Sequence, residues 1–122
     1  FDNLSSSLAL IKAGEVQALG VTTLKRSHAA PEIPTLAEQG LVGFEAVSWF
    51  SLMAPAQLPP SIQIRLNRLT RQALTNPEVK ARLLAGGLDP APGSPQDLSK
   101  LIAAESNKWG RVVIKSGAKL DQ

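Results

Sequence analysis

The 122-residue sequence contains no cysteine, no tyrosine, one histidine and one methionine. Without cysteine the chain has no disulfide, no thiol nucleophile and no Cys-ligated zinc or iron–sulfur centre. This composition suits an exported protein without disulfides as well as a cytosolic one. Long apolar runs are also missing, since no stretch approaches the roughly 20 residues of a membrane-spanning helix. Aromatic residues are few, yet Trp49 stands directly beside Phe50.

Basic residues exceed acidic ones, which gives a net charge of +3 and a pI of about 9.6. They are scattered, and Lys25-Arg26 is the only adjacent basic pair. A nucleic-acid-binding surface is typically a clustered basic stripe, so the scatter favours an ordinary solvated surface. A small basic nucleic-acid-binding module stays open as an alternative, and a mildly positive field also suits an acidic small molecule.

Capping residues and apolar spacing predict two helices in the first two thirds of the chain. Ser5 to Ser7 offers N-cap hydroxyls for a short helix that Gly14 ends. Ser61 is predicted to cap a second helix. The apolar positions of that helix share one face, at i, i+4, i+7 and i+11 spacing: Ile62, Leu66, Leu69 and Ala73.

Two further helices are predicted near the end, each beginning with a cap residue followed by proline. Asn76-Pro77 begins the first of them, and Gly86-Gly87 ends it. Ser94 caps the last helix, which is expected over 95–116 and ends before Gly117.

Three segments are predicted as strands: Glu15–Thr23, Phe44–Ala54 and Leu88–Ala91. The second has apolar residues on both faces, which is typical of a strand buried on both sides. Thr35 and Glu38 have the capping-box spacing of a one-turn helix. This alternation of helices and strands indicates α/β layering. So few strands do not make a self-contained sheet, and we expect a partial unit whose upstream portion was removed before Phe1.

The sequence offers little catalytic chemistry. His28, the only histidine, lies in a polar, proline-flanked loop with no carboxylate within three residues, and is predicted to be an exposed loop histidine. Nucleophile-elbow, P-loop and zinc-protease motifs are absent. The carboxylates are dispersed, with no spacing that brings two together on one predicted face. We therefore predict that the chain is not an enzyme and holds neither a metal nor a cofactor.

The clearest candidate for binding is the opening stretch, FDNLSSS. Asp2 and Asn3 precede a predicted helix N-terminus, where free N–H groups and the helix dipole favour an anion. A ligand carboxylate would be held there by N–H groups and the Ser5 or Ser6 hydroxyl, while Asp2 orients bridging waters or binds an ammonium. The predicted ligand-binding residues are Phe1, Asp2, Asn3, Ser5 and Ser6. The alternative is that Asp2 and Asn3 only form an Asx-type cap.

Several segments together resemble the tripartite tricarboxylate transporter receptors, the Bug-type extracytoplasmic solute-binding proteins. They are "IKAG" with "ALGVTT", "IPTLAEQG" before "GFE", "SWF", "NPEVKARL" and "KWG", in the family's order and spacing. The resemblance covers nearly the whole chain. Ser5 departs from it, since the family usually has proline there, and Gly20 stands where alanine is frequent.

The resemblance implies an α/β fold: part of a type II periplasmic-binding-protein-like two-lobe structure that lacks the N-terminal lobe sheet. Residues 1–43 would finish the second lobe, and 44–54 would be the interlobe crossover strand. Residues 55–122 would form the mostly helical C-terminal part of the first lobe. Trp49 and Phe50 would then lie at the hinge.

The resemblance also implies a periplasmic receptor that binds a small carboxylate or amino acid and delivers it to membrane transporter subunits. Nucleic acid is not expected as a partner. A chain that carries half a cleft is expected to expose apolar surface and to self-associate. A self-associating structural fragment without ligand binding is therefore the second alternative, beside the nucleic-acid-binding module.

Overall fold

A computed structural model describes residues 1–119, and helices dominate it. They are α1 (Leu4–Lys12), α2 (Pro60–Thr75), α3 (Pro77–Ala85) and α4 (Pro95–Ser116). Within this range the only β pairing is one parallel bridge, between Val21 and Thr35. None of these helices combines the length and the apolar character that a bilayer crossing requires. The last three residues of the predicted segment 55–122 lie outside the described residues.

The cap predictions for α3 and α4 are confirmed. The Asn76 side chain accepts hydrogen bonds from the N–H groups two and three residues ahead, at 2.9 and 3.2 Å. Ser94 and Asp97 form a reciprocal capping box at the start of α4. Gly117 follows the last turn of α4 with φ +67°, a backbone conformation that glycine adopts without strain.

The prediction that Ser5 to Ser7 cap α1 is wrong, because Asn3 is the N-cap and these serines lie within the helix. The end of α1 is as predicted, with Gly14 at φ +75° just beyond the helix. The prediction that Ser61 caps α2 is wrong, because the helix begins one residue earlier, at Pro60. The fixed φ of proline suits the first helical position. Pro59 is the N-cap, and its carbonyl accepts the first helical hydrogen bonds, at 3.0 and 3.1 Å.

The strand predictions for Glu15–Thr23 and Leu88–Ala91 are wrong. The first segment contributes one bridge residue, Val21, whose N–H donates to Pro34 O and whose carbonyl accepts from Leu36 N–H, both at 2.9 Å. Proline in the facing loop lacks the N–H that would continue the ladder. Leu88–Ala91 takes part in no β pairing within residues 1–119.

The prediction of a buried strand over Phe44–Ala54 is also wrong for the part of the chain that the structure describes. Ala46 N–H donates to Thr22 O at 3.1 Å, and Thr22 Oγ1 donates back to Ala46 O. No longer ladder forms, because a strand exists only beside a neighbouring backbone. Trp49 is 37% exposed and Phe50 81% exposed, so neither face of the segment is covered.

Residues 36–40 form turns rather than the predicted one-turn helix, and Thr35 is the bridge residue. The reciprocal hydrogen bonds of the capping box are nevertheless present. Thr35 N–H donates to Glu38 Oε2 at 2.7 Å, and Glu38 N–H donates to Thr35 Oγ1 at 3.0 Å. The hydrogen bond from the Thr35 backbone and those from Arg26 lower the pKa of Glu38.

The core lies between α1 and the loop that folds back on it. Its fully buried apolar residues are Leu8, Ala30 and Ile33. By contrast, α2, α3 and α4 contain no buried residue. The chain exposes 9680 Å², whereas a compact monomer of its mass exposes about 6,300 Å². Much apolar surface is therefore uncovered.

Candidate functional site

The candidate site lies at the start of α1, where Asp2 stands just before the helix. The hydroxyls of Ser6 and Ser7 both donate to Asp2 Oδ2, at 2.9 and 2.5 Å. The hydrogen bond from Ser7, followed by that from Ser6, lowers the pKa of Asp2. A fixed negative charge thus stands beside the positive end of the α1 dipole.

The backbone at this helix start leaves donors open to a ligand. Asn3 is the N-cap residue by position, but its side chain makes no cap hydrogen bond, so an Asx-type cap by Asn3 is wrong. The N–H groups of Leu4 and Ser5 have no acceptor within the helix, whereas Ser6 N–H donates to Asn3 O at 3.0 Å. Phe1, Asn3 and Ser5 are all exposed. The five predicted ligand-binding residues therefore form one open, solvent-facing patch.

This arrangement suits a zwitterion or a carboxylate with a second polar group. A ligand carboxylate can bind the N–H groups at the helix start with the Ser5 hydroxyl. The ionised Asp2 beside it attracts an ammonium and repels a second carboxylate. Among residues 1–119, no three His, Asp or Glu side chains lie close enough to share a metal ion.

Gly87, which the sequence predicts only as the end of α3, supports this patch. Gly87 has φ +74°, and a Cβ at this position would lie 2.8 Å from Leu4 O and 2.9 Å from Ser5 Cα. Only glycine permits that approach. The turn after α3 therefore packs against the first residues of α1, and the Gly86-Gly87 pair was the one sequence signal for it.

A second contact between distant parts of the chain is a hydrogen-bond cluster centred on Asp89. Ser27 Oγ donates to Asp89 Oδ2 at 2.5 Å, and His28 N–H donates to Asp89 Oδ1 at 3.0 Å. The His28 Nδ1 atom also lies 3.0 Å from Oδ1. Desolvation of Asp89 is outweighed by hydrogen bonds from Ser27 and His28, so the pKa of Asp89 is lowered.

The Asp89 cluster ties the loop at Ser27 and His28 to the turn after α3. His28 is exposed, as predicted, but it does have a carboxylate partner. Sequence reasoning missed Asp89 because the partners lie 61 and 62 residues apart.

The predicted hinge residues, Trp49 and Phe50, lie within residues 44–54, which we call the extended segment. Helix α4 contacts this segment. Lys108 Nζ donates to Glu45 O at 3.5 Å and binds Glu105 within α4. The other tryptophan, Trp109, donates its indole N–H to Glu105 Oε2 at 2.7 Å. The "KWG" motif thus ties α4 to the extended segment.

The family model described as "Tripartite tricarboxylate transporter family receptor" matches residues 2–118 of the chain. The curated protein BugT of Bordetella pertussis is 36% identical over 119 residues. Those residues are 98% of this chain and 36% of BugT. The chain therefore spans about a third of that relative's length.

Two solved structures have the same fold over nearly all of the chain. R. palustris Rpa4515, solved with adipate, is 38% identical with a TM-score of 0.81, covering 95% of this chain and 39% of its own. The periplasmic binding protein BugD is 27% identical with a TM-score of 0.77, covering 93% of this chain and 38% of its own. The prediction that the chain carries part of a periplasmic-binding-protein-like α/β fold is confirmed.

Proposed function

The chain belongs to the tripartite tricarboxylate transporter family of receptors, and we propose that it forms part of an extracytoplasmic receptor for a small carboxylate or amino acid. One observation carries the proposal: the start of α1 offers unpaired N–H groups and the Ser5 hydroxyl beside the ionised Asp2. Rpa4515, a relative solved with adipate, supports a small carboxylate as the ligand class.

In this proposal the ligand carboxylate binds at the positive end of the α1 dipole. The charge of Asp2 determines which second group of the ligand is preferred beside that carboxylate. Ser6 and Ser7 hold the Asp2 carboxylate in place, so Asp2 is available through its other oxygen. That oxygen receives an ammonium, a hydroxyl or a bridging water. Gly87 fixes the position of the helix start from behind.

The family supports delivery of the ligand to membrane transporter subunits and a location in the periplasm, and BugD is itself described as periplasmic. In this proposal the chain has no catalytic role, because Ser27 and His28 bind Asp89 as part of a contact between distant segments. The proposal also excludes a cofactor and a nucleic-acid partner.

We further propose that residues 1–43 belong to one lobe and 55–122 to the other, with 44–54 crossing between them. Trp49 and Phe50 then act at the hinge. Replacing Trp49 with alanine in a full-length receptor should weaken closure, measured as reduced compaction in small-angle scattering on ligand addition. Unchanged compaction would defeat the hinge role.

Ligand binding is tested by amide NMR spectra of the isotope-labelled chain during titration with adipate, succinate and aspartate. Because the chain spans 36% of BugT, it holds part of a cleft, and we expect millimolar binding. The amide signals of Leu4, Ser5 and Ser6 should shift. Replacing Ser5 with alanine should weaken binding about 2- to 10-fold through loss of one hydrogen bond.

Ser61→Ala is the matched control, because Ser61 is the second residue of α2 as Ser5 is of α1. It should leave the titration unchanged. Shifts confined to α2 or α4, or no shifts with any of the three ligands, would contradict the proposed site.

The uncovered apolar surface favours self-association of the chain as a second property. The chain exposes 9680 Å² of surface, whereas a compact monomer of its mass exposes about 6,300 Å². The difference is as large as the area that obligate dimer interfaces bury. We propose that two copies cover part of each other's exposed apolar surface. Light scattering with native mass spectrometry should find a dimer, and a stable monomer at all concentrations would contradict this.

A further inference from the structure

One face of α2 carries positive charge without a counter-charge. The helix contains three arginines and no acidic residue. Arg65, Arg68 and Arg71 are exposed, and none of them forms an ion pair within residues 1–119. By contrast, Arg26 binds Glu38 and Arg82 binds Glu78. Arg111 of α4 also lacks an ion pair among the described residues, but α2 alone brings three such arginines together without an acidic residue on the same helix.

These three side chains follow one row of the helix surface, which we call the arginine row. They are three residues apart, so each rises about 4.5 Å above the last and the row spans about 9 Å. Such a row runs obliquely across a helix and meets a ridge of a second helix. Each guanidinium can bind a carboxylate through two parallel hydrogen bonds.

A groove of 590 Å³ lies beside the arginine row, between α2 and the first turn of α4. Arg68 and Arg71 line it, together with the side-chain amides of Gln63, Asn67 and Gln72. Asn67 Nδ2 donates to Gly93 O at 2.9 Å, which holds the segment before α4 against α2. The groove therefore joins positive charge to amides that can bind a peptide.

An acidic residue beside this groove, Asp97, is already engaged by Ser94. Asp97 Oδ2 accepts hydrogen bonds from Ser94 N–H and Ser94 Oγ, at 2.9 and 2.6 Å. These bonds, with smaller contributions from the charges of Lys100 and Arg71, lower the pKa of Asp97. Asp97 lies beyond ion-pair distance of Arg71, so the arginine row keeps its charge for an external partner.

We propose that the arginine row and its groove dock a protein partner that presents an acidic helix, with carboxylates three or four residues apart along one face. The choice of partner rests on the proposed function, since a receptor of this family must meet a membrane transporter subunit. The groove amides favour a protein over a flat lipid surface. No aromatic residue lines the groove, so it lacks the stacking surface that single-stranded nucleic acid uses.

The test uses a synthetic fluorescent helical peptide with glutamates at i, i+3 and i+7, titrated with the 122-residue chain and followed by anisotropy. Arg65, Arg68 and Arg71 are replaced together by glutamine. We expect this triple variant to bind at least about 10-fold more weakly at low salt, with a reduced salt dependence.

The control variant replaces Lys100, Arg111 and Lys115 of α4 with glutamine, which removes the same charge from another helix. It should retain the binding of the original chain. A second peptide has the same composition but spreads its glutamates around the helix, and it should bind weakly. Equal losses in both triple variants, or equal binding of both peptides, would overturn the proposal.

Vesicles of phosphatidylglycerol and phosphatidylcholine provide the remaining comparison. If the chain binds these vesicles through the arginine row and ignores both peptides, the surface faces lipid and the proposal is wrong. The NMR titration with adipate is repeated on both triple variants. Unchanged shifts at α1 separate a failure of docking from a failure of ligand binding.

Discussion

Leu8 and Leu101 are both leucines on the apolar face of an amphipathic helix, but only Leu8 is buried. Leu8 in α1 is 3% exposed because Ala30 and Ile33, in the loop that folds back, cover it. Leu101 in α4 is 39% exposed, and its neighbours Ile102 and Trp109 are exposed to a similar degree. Amphipathic sequence makes a helix, whereas burial requires a second surface that the sequence of that helix does not supply.

The same contrast separates the two regions of the molecule. In residues 1–43 a short helix and a hydrogen-bonded loop share a small core. In residues 55–119 three helices, of which α3 and α4 have side-chain caps, present apolar faces to solvent. The regions are joined by contacts of the turn after α3 with the first region, at Gly87 and Asp89.

The largest expected effect comes from the core of the first region. Leu8→Ala should lower the free energy of unfolding by about 2 to 4 kcal/mol, because a buried leucine leaves a cavity. Leu101→Ala is the matched change in an exposed position, and it should cost less than about 1 kcal/mol. Urea unfolding monitored by circular dichroism checks both. Similar losses would mean that Leu101 is covered in solution.

The next effect tests the contact between the regions. Gly87→Ala should cost about 2 to 3 kcal/mol, since it adds a backbone clash with Leu4 to the strain of a left-handed conformation. Gly14→Ala is the control, because Gly14 has nearly the same φ but no atom within 4 Å of an added Cβ. Gly14→Ala should cost only about 1 to 2 kcal/mol. Equal costs by urea unfolding would show that the regions do not pack at Gly87.

A smaller and pH-dependent effect is expected from Asp89→Asn. The folded-state pKa of Asp89 lies below its ordinary value of 3.8. Its contribution to stability is therefore complete above that value and is lost as the pH falls through the lower, folded-state pKa. Because the side chain is 38% exposed, solvent screening keeps the contribution modest, about 1 kcal/mol.

Urea unfolding at neutral pH and at a pH below the lowered folded-state pKa of Asp89 measures this difference. The substitution should destabilise the chain at neutral pH and change little in acid. Glu78→Gln, which breaks an exposed pair within α3, should cost about 0.3 to 0.5 kcal/mol. An Asp89→Asn loss that persists in acid would point to packing rather than charge.

The sequence by itself determined the helix boundaries where the cause lies within one turn. Asn76 binds N–H groups two and three residues away, and Ser94 and Asp97 are three apart. The positive φ of Gly117 likewise depends on its own backbone. The candidate site at FDNLSSS could be proposed for the same reason, because its residues are consecutive.

Only the tertiary structure decided the contacts between distant residues. The hydrogen bonds of Asp89 with Ser27 and His28 join residues more than 60 positions apart. Gly87, in the turn after α3, likewise contacts Leu4, which lies far from it in the sequence. The predicted strand over 44–54 failed for the same reason. A strand forms where a second backbone lies alongside, and a single segment carries no information on where that backbone is.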